Sequence, residues 1–566
     1  MSKDRDSKTR HPLNILIGGE AGQGLVTVGK ILAKSLVRGG YSIVVTQSYQ
    51  SRIRGGHNTF AIRVGVDEVD APQEPVDLLV AFDRDTVTLH RGELTPDGLV
   101  VLDGAVGIDD DSALKVPFKD LAQERVSNMV ALGVVGSLLG LDEELMARTV
   151  DDFFGKKDAS LAAENHRALA AGTGWAAAHA KSRHRLPPAS NTPQRLMMNG
   201  NEAIALGAIS AGLRFHSFYP MTPSTSIGLT LAGQAKRMGL IIEQAEDEIA
   251  AINMAIGASF AGAPSMVGTS GGGFALMAEG VSLAAMTETP LVIVVAQRPG
   301  PATGLPTRTE QADLEFVLHA GHGEFPRAIF SPGTVEECFH LTRRALELAE
   351  RYQGPTFVLT DQFLADSYRA VAPFGVEDLD TVRAGTGAVK SSPYFRFAIT
   401  ESGVSPRLLP GITGHLVVAD SDEHTEDGHI TEDLSVRRQM VEKRLRKGEG
   451  MRAEVIAPEM EGEASPDLLL VSWGSSKGAV QEAASRMRSK GEKVAALHFS
   501  QVWPLVPEKF MIHLESARQV VCIEGNATGQ LARLIQRETG FQIKEKVRRY
   551  DGLPLTPEYI ARELNQ

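Results

Sequence analysis

The segment Tyr219-Pro220-Met221-Thr222-Pro223-Ser224-Thr225 sets several hydroxyl groups around two prolines. Proline fixes φ, lacks an N–H and pushes the preceding residue towards an extended shape. The segment is therefore a rigid loop that presents Tyr219, Thr222, Ser224 and Thr225 ahead of a helical run from Ile227 to Met238. Hydroxyls at a helix entrance cap that helix or bind an anionic ligand. A carboxylate comes next. Ala245-Glu246-Asp247-Glu248 opens an Ala-rich run that reaches Gly257. Acidic residues there suit the helix dipole, and ordinary capping explains them. Glu248, however, precedes small and apolar residues on almost every helix face. It is expected to point into a protected site, where a carboxyl needs a partner. Thr269-Ser270 then runs into Gly271-Gly272-Gly273, and Arg298 follows the apolar stretch 291–296. Ligands of open parallel sheets bind beyond the carboxyl ends of the strands. That rule brings Thr222, Thr269, Ser270 and Arg298 to one crevice. Read alone, Arg298 fits a surface ion pair equally well.

The elements that must carry these residues alternate between strand and helix. Leu13 to Ile17 reads as a buried strand. It runs into Gly18-Gly19-Glu20-Ala21-Gly22-Gln23-Gly24 and then a helix from Val26 to Arg38. Such a strand–turn–helix unit belongs to a doubly wound α/β fold. Gly22 and Gly24 let the backbone approach a phosphate at the helix start. The spacing is not a clean G-x-G-x-x-G, and a ligand-free βα turn fits equally. A second strand, 41–47, leads to a loop with Arg52 and Arg54 beside Gly55-Gly56. Arginines there suit a phosphorylated ligand, or else a solvated loop or an interface.

Composition sets bounds. The chain has 566 residues, 43% hydrophobic, with 56 glycines, enough for roughly three to five domains. Its 58 Lys and Arg against 70 Asp and Glu give a net charge of −12, which argues against nucleic acid as the main partner. No apolar run reaches the roughly 18 residues that span a bilayer. The polar first residues carry no signal-peptide core, so a cytoplasmic chain is expected. The two cysteines, Cys338 and Cys522, read as buried inert thiols, and two cannot supply the four thiolates of an iron–sulfur cluster.

Gly18–Gly24 together with Ser51-Arg52-Ile53-Arg54-Gly55-Gly56 resembles the γ domain of 2-oxoacid:ferredoxin oxidoreductases, which is associated with coenzyme A. Tyr219–Thr225 is similar to the Tyr-Pro-Ile-Thr-Pro-Ser signature of the α subunit in the same enzymes, with Met221 in place of Ile. Glu248 resembles the glutamate of pyrimidine-binding domains in thiamine diphosphate enzymes. Thr269-Ser270-Gly271 and Gly300–Thr307 fit the α subunit as well. The resemblance covers nearly the whole chain and implies a γ–α fusion made of doubly wound parallel sheets. Its parts are a γ domain (1–182), a linker (183–195), a pyrimidine-binding-type domain (196–372), a connecting segment (373–464) and a transketolase C-terminal-like domain (465–566).

The same resemblance implies roles. Glu248 would face the aminopyrimidine of thiamine diphosphate, with Thr269 and Ser270 also at the cofactor. Thr222 and Arg298 would hold the 2-oxoacid carboxylate, and Arg308 a second one. Gly22, Gly24, Arg52 and Arg54 would face coenzyme A. No metal ligand is expected in this chain, because no Gly-Asp-Gly with a later Asn is present. A β subunit would bring the diphosphate site, Mg²⁺ and a 4Fe-4S cluster in a (γα)₂β₂ assembly, with ferredoxin as electron carrier. The reaction implied is the oxidative decarboxylation of 2-oxoglutarate to succinyl-CoA or its CO₂-fixing reverse. Pyruvate, branched-chain or aryl 2-oxoacids are alternatives, and so is a non-catalytic CoA- or nucleotide-binding assembly protein. The charged run 420–447 reads as a solvated loop and exposed helix, unless His424 and His429 close over the site.

Overall fold

The computed structural model describes residues 12–50, 56–155, 159–180, 184–189, 194–377, 379–385, 393–411 and 414–565. They form two compact units. The first comprises Met1–Met198, Ser367–Pro373 and Thr556–Glu558, and the second Asn199–Asp366, Phe374–Leu555 and Tyr559–Gln566. The first unit thus runs to Met198. The reason is sheet pairing: Leu196–Met198 and Arg369–Val371 pair with each other, and Arg369–Val371 joins Ser42–Ser48. Within the expected linker, the Leu186 N–H donates to the Leu139 carbonyl at 3.0 Å.

The first unit is built on an eight-stranded sheet. Four strands, Leu114–Val116, Leu94–Asp103, Val76–Ala81 and Leu13–Glu20, run parallel. The rest of the sheet is antiparallel, starting with His57–Gly65 between Leu13–Glu20 and Ser42–Ser48. The sheet is thus parallel in one half and antiparallel in the other. The physical reason is connection length: the loop from Ser48 to His57 is too short for a crossover helix, so the chain turns back on itself. The glycine-rich turn after Leu13–Glu20 leads into the helix Leu25–Arg38, and Gly24 at its N-cap has φ 81°, a value that favours glycine.

The second unit holds two sheets. One has the order Gln501–Trp503, Ala328–Phe330, Pro355–Asp361, Leu291–Gln297, Ser265–Thr269, Phe215–Phe218, Ile241–Gln244. All neighbours are parallel except Gln501–Trp503. The strand Leu291–Gln297 is buried throughout, as a central parallel strand covered on both faces must be. The five-stranded sheet has the order Glu459–Glu461, Val494–Phe499, Leu468–Trp473, Gln519–Glu524, Glu545–Arg548. Its apolar residues Leu469, Val471 and Trp473, with Leu531 of the helix Gln530–Thr539, share one core with Val267, Ile293 and Phe357. No helix among the described residues is long and apolar enough to cross a membrane.

The charged run behaves differently from its sequence reading. In the helix Leu434–Ala453, residues Met440, Lys443, Arg444, Lys447 and Met451 are buried, and their spacing puts them on one face. Lys443 Nζ lies 2.6 Å from Glu288 Oε1, and Lys447 pairs with the other oxygen. Arg396 donates to the Glu288 carbonyl at 2.7 Å. Burial alone would raise the Glu288 carboxyl, but Lys447, Lys443 and Arg396 outweigh it and hold the group ionised. Burial pushes Lys447 down to about 8, with Glu288 opposing. Composition suggested a solvated helix because the partner carboxylate lies 155 residues away in sequence. His424 is buried, its ring 4.0 Å from that of Phe397. His429 is exposed and pairs with Asp427.

Glu288→Ala leaves three buried cations around an empty position. It is expected to destabilise the chain by about 3–5 kcal/mol, seen as a lowered denaturation midpoint. A second expectation concerns His216, fully buried on the strand Phe215–Phe218 with Nδ1 3.0 Å from the Met266 carbonyl. Burial holds its pKa down at about 4. The unfolded chain therefore takes up a proton below pH ~6.5 that the folded chain refuses. Stability is complete above that pH and falls as pH drops towards 4, by roughly 3 kcal/mol in all. His216→Gln should flatten this part of the acid-denaturation curve, measured as melting temperature between pH 4 and 7.

Candidate functional site

The carboxyl ends of Phe215–Phe218, Ser265–Thr269 and Leu291–Gln297 lie side by side in parallel register. Each runs into a segment that the sequence had marked. After Phe218 comes the proline loop. Its hydroxyls do not cap the following helix, Thr225–Met238: Ser224, at the N-cap, makes no side-chain cap bond and donates instead to the Met221 carbonyl at 2.8 Å. The buried Asn201 side chain holds the loop from below, donating to the Pro223 carbonyl at 2.8 Å and to Ser226 Oγ at 2.7 Å. The loop is thus fixed by others and leaves the half-buried Thr222 hydroxyl unspent.

Arg298, one residue beyond Leu291–Gln297, reaches back to this loop. Its Nη1 donates to the Thr222 carbonyl at 2.8 Å. The structure therefore brings Thr222 and Arg298 together, and Arg298 is not a surface ion pair. Burial lowers the guanidinium pKa, with Asp313 opposing.

The helix Glu248–Phe260 begins on Asp247, whose side chain accepts the Ala250 N–H at 2.7 Å. Because Asp247 does the capping, Glu248 is released from it. Glu248 is 3% exposed, and its Oε1 is buried without a hydrogen-bond partner. It faces the helix Gly271–Met286. A Cβ on Gly273 would sit 2.2 Å from Thr269 Oγ1 and 2.4 Å from Glu248 Oε1, closer than real contacts allow. The glycine is what admits the carboxylate. Ser270 is the N-cap of that helix, yet it makes no side-chain cap bond and its Oγ is also buried without a partner.

Asp313 was not marked by the sequence, because an Asp before an apolar helix reads as a cap. Its side chain does not cap Leu314–His319. Its N–H donates to Gln297 Oε1 at 2.9 Å, and its Oδ2 is buried without a partner against Gly271. Burial pushes the Asp313 carboxyl up to about 6, with Arg298 pulling the other way. Glu248, Ser270 and Asp313 thus place three unsatisfied polar atoms around the start of one helix.

The other residues marked in the sequence are Arg308, Gly22, Gly24, Arg52 and Arg54. Arg308 packs its stem against Gly552. The loop carrying it is anchored by Thr309, whose hydroxyl donates to the buried Asp361 at 3.2 Å. In the first unit Gly22 is exposed with φ 101°, and nothing stands within 4 Å of where its Cβ would be. Gly24 packs against Asn128. Arg52 and Arg54 lie outside the described residues. Cys338 and Cys522 are buried, and burial pushes both thiols well above their ordinary value.

Two family models match. Residues 206–443 match the pyruvate flavodoxin/ferredoxin oxidoreductase thiamine diphosphate-binding domain, and residues 14–175 the pyruvate ferredoxin/flavodoxin oxidoreductase domain. The chain is 31% identical to the 2-oxoacid:ferredoxin oxidoreductase subunit alpha of a Sulfolobus species, over 98% of this chain and 96% of that one. It is 27% identical to the 2-oxoglutarate oxidoreductase subunit KorA of Mycobacterium tuberculosis, over 97% and 90% respectively. Its fold superposes with a TM-score of 0.92 on a 2-oxoglutarate:ferredoxin oxidoreductase from Magnetococcus marinus solved with 2-oxoglutarate, coenzyme A and succinyl-CoA bound. The identity there is 33%, over 98% of this chain and 99% of that one.

Gly273→Ala forces the added methyl onto Thr269 and Glu248. Overpacking of this kind costs about 1–3 kcal/mol. The variant should melt at a lower temperature than the parent, whereas Gly257→Ala, in open space on the neighbouring helix, should not.

Proposed function

The chain belongs to the family of 2-oxoacid:ferredoxin oxidoreductase α subunits, and from that premise we propose that it supplies the substrate- and pyrimidine-binding half of a coenzyme A-dependent enzyme acting on 2-oxoglutarate. The observation that carries this reading is the orphaned Glu248 Oε1, buried beside the glycine that makes room for it. A buried carboxyl without a partner is costly, and a ring nitrogen of an aminopyrimidine would satisfy it. Thiamine diphosphate supplies, when bound, an acidic thiazolium carbon that adds to the oxo carbon of the substrate. Glu248 would hold a proton at the pyrimidine ring nitrogen, with Thr269 and Ser270 beside it. Positioned acid–base groups contribute roughly 10²–10⁴ in rate.

Arg298 and Thr222 would hold the oxoacid carboxylate. The guanidinium is already fixed by the Thr222 carbonyl, so little orientation has to be lost on binding. Arg308 would take the second carboxylate of 2-oxoglutarate. In the first unit, Gly22, Gly24, Arg52 and Arg54 would face coenzyme A. The diphosphate, Mg²⁺ and the iron–sulfur cluster would lie on a β subunit in a (γα)₂β₂ assembly that passes electrons to ferredoxin. The support for this division is that the chain has two cysteines in all, both buried. Pyruvate is the competing substrate, because both matched family models carry its name.

With β present, Glu248→Ala should lower turnover by about 10²-fold or more, followed as CoA-dependent ferredoxin reduction. Turnover at the parent rate would remove Glu248 from the mechanism. Initial rates with 2-oxoglutarate and pyruvate, each at saturation, decide the substrate. Arg308→Ala should raise KM for 2-oxoglutarate and leave KM for pyruvate unchanged.

A further inference from the structure

We propose that an oxoacid carboxylate binds at Arg298 together with one proton, which the buried carboxyl of Asp313 takes up. This deepens the reading of Arg298 given above and rests on it. Three geometric facts support it. Asp313 stands where a helix cap is expected but does not cap. Its backbone is pinned by Gln297, the residue that precedes Arg298 in the chain. Its Oδ2 is buried with no hydrogen-bond partner.

The charges around it are few. Arg298 acts on it favourably. Glu310, in the same loop, is itself pushed up, first by burial and then by Asp313. On the helix side, Glu248 stands at Gly273, two residues beyond the Gly271 that Asp313 touches. Glu315, one residue into the next helix, is paired with Arg533 at 3.2 Å. Burial works against ionisation of Asp313, and Arg298 is the cation that opposes it.

When a second carboxylate claims that guanidinium, two anions share one cation. The less favourable anion is then the buried carboxyl, which already sits near 6. Its pKa rises in the complex, and a proton follows the substrate in. The sign is fixed by this order. Below pH ~6 Asp313 is already neutral, and affinity does not change with pH. Above that pH, affinity falls as pH rises, up to tenfold per unit, until the raised pKa of the complex is passed.

The test uses the complete complex with β, saturating coenzyme A and ferredoxin, and 2-oxoglutarate as the probe. KM of the parent enzyme should rise at least fivefold between pH 6 and pH 8. Asp313→Asn should have a lower KM at pH 8, and its KM should change less than twofold over the same range. A flat parent KM overturns the proposal without any variant. So does a parent-like slope in Asp313→Asn, or a slope lost in Glu310→Gln but kept in Asp313→Asn. Arg298→Lys separates the two levels of the reading. If it leaves KM unchanged at pH 6, the carboxylate role of Arg298 fails. If it raises KM while Asp313→Asn keeps the parent slope, Arg298 stands and only the proton coupling of Asp313 is lost.

Discussion

The contact between the Glu248 carboxyl and the backbone of Gly273 is the constraint on which the rest of the site depends. A buried carboxyl must have room and must not be consumed by its own helix. Asp247 meets the second need by taking the cap. Gly273 meets the first, because any side chain there would occupy the place of Glu248 Oε1. The two helices that meet here, Glu248–Phe260 and Gly271–Met286, are rich in Ala and Gly, which lets their backbones come close enough for the contact. Small residues are therefore a packing requirement of this contact.

Around that contact the scaffold holds polar groups by spending other polar groups on them. Asn201 fixes the proline loop so that Thr222 is free. Gln297 fixes Asp313, and Asp361 fixes Thr309 and with it the loop 299–311. Buried polar side chains that are satisfied rigidify their surroundings. In this crevice Glu248 Oε1, Ser270 Oγ and Asp313 Oδ2 are unsatisfied, and on the proposed reading they face its ligand. The apolar strand Leu291–Gln297, buried along its whole length, keeps these loops at a common level.

The Glu288 cluster shows the same economy applied to structure. Lys443 and Lys447 close on a carboxylate that also carries Arg396 on its backbone carbonyl. Removing one partner of such a group costs more than the group contributes. The helix Leu434–Ala453 is thereby tied to the end of Gly271–Met286 by charge rather than by an apolar stripe.

Much of the site was legible in the residues. Two prolines determine that Tyr219–Thr225 is a rigid loop, because proline restricts φ wherever it stands. The run 291–296 determines a buried strand, because β-branched apolar residues without alternation have no solvent face. These local rules, with the strand-end rule, already placed Thr222 beside Arg298, and family resemblance marked Glu248. What local rules could not decide was which of several equivalent groups does which task. Asp247 and Glu248 are both acids at one helix start, and only packing against Gly273 separates the cap from the buried carboxyl. Asp313 carries no local signal, because only the fold leaves its Oδ2 buried without a partner. Lys443 and Lys447 read as solvated and are not, because Glu288 is distant in sequence and near only in the folded chain. Side-chain type and backbone restriction are properties of the sequence. The partner of a buried charge is decided by tertiary contact, since the energy of a charge depends on what surrounds it in space.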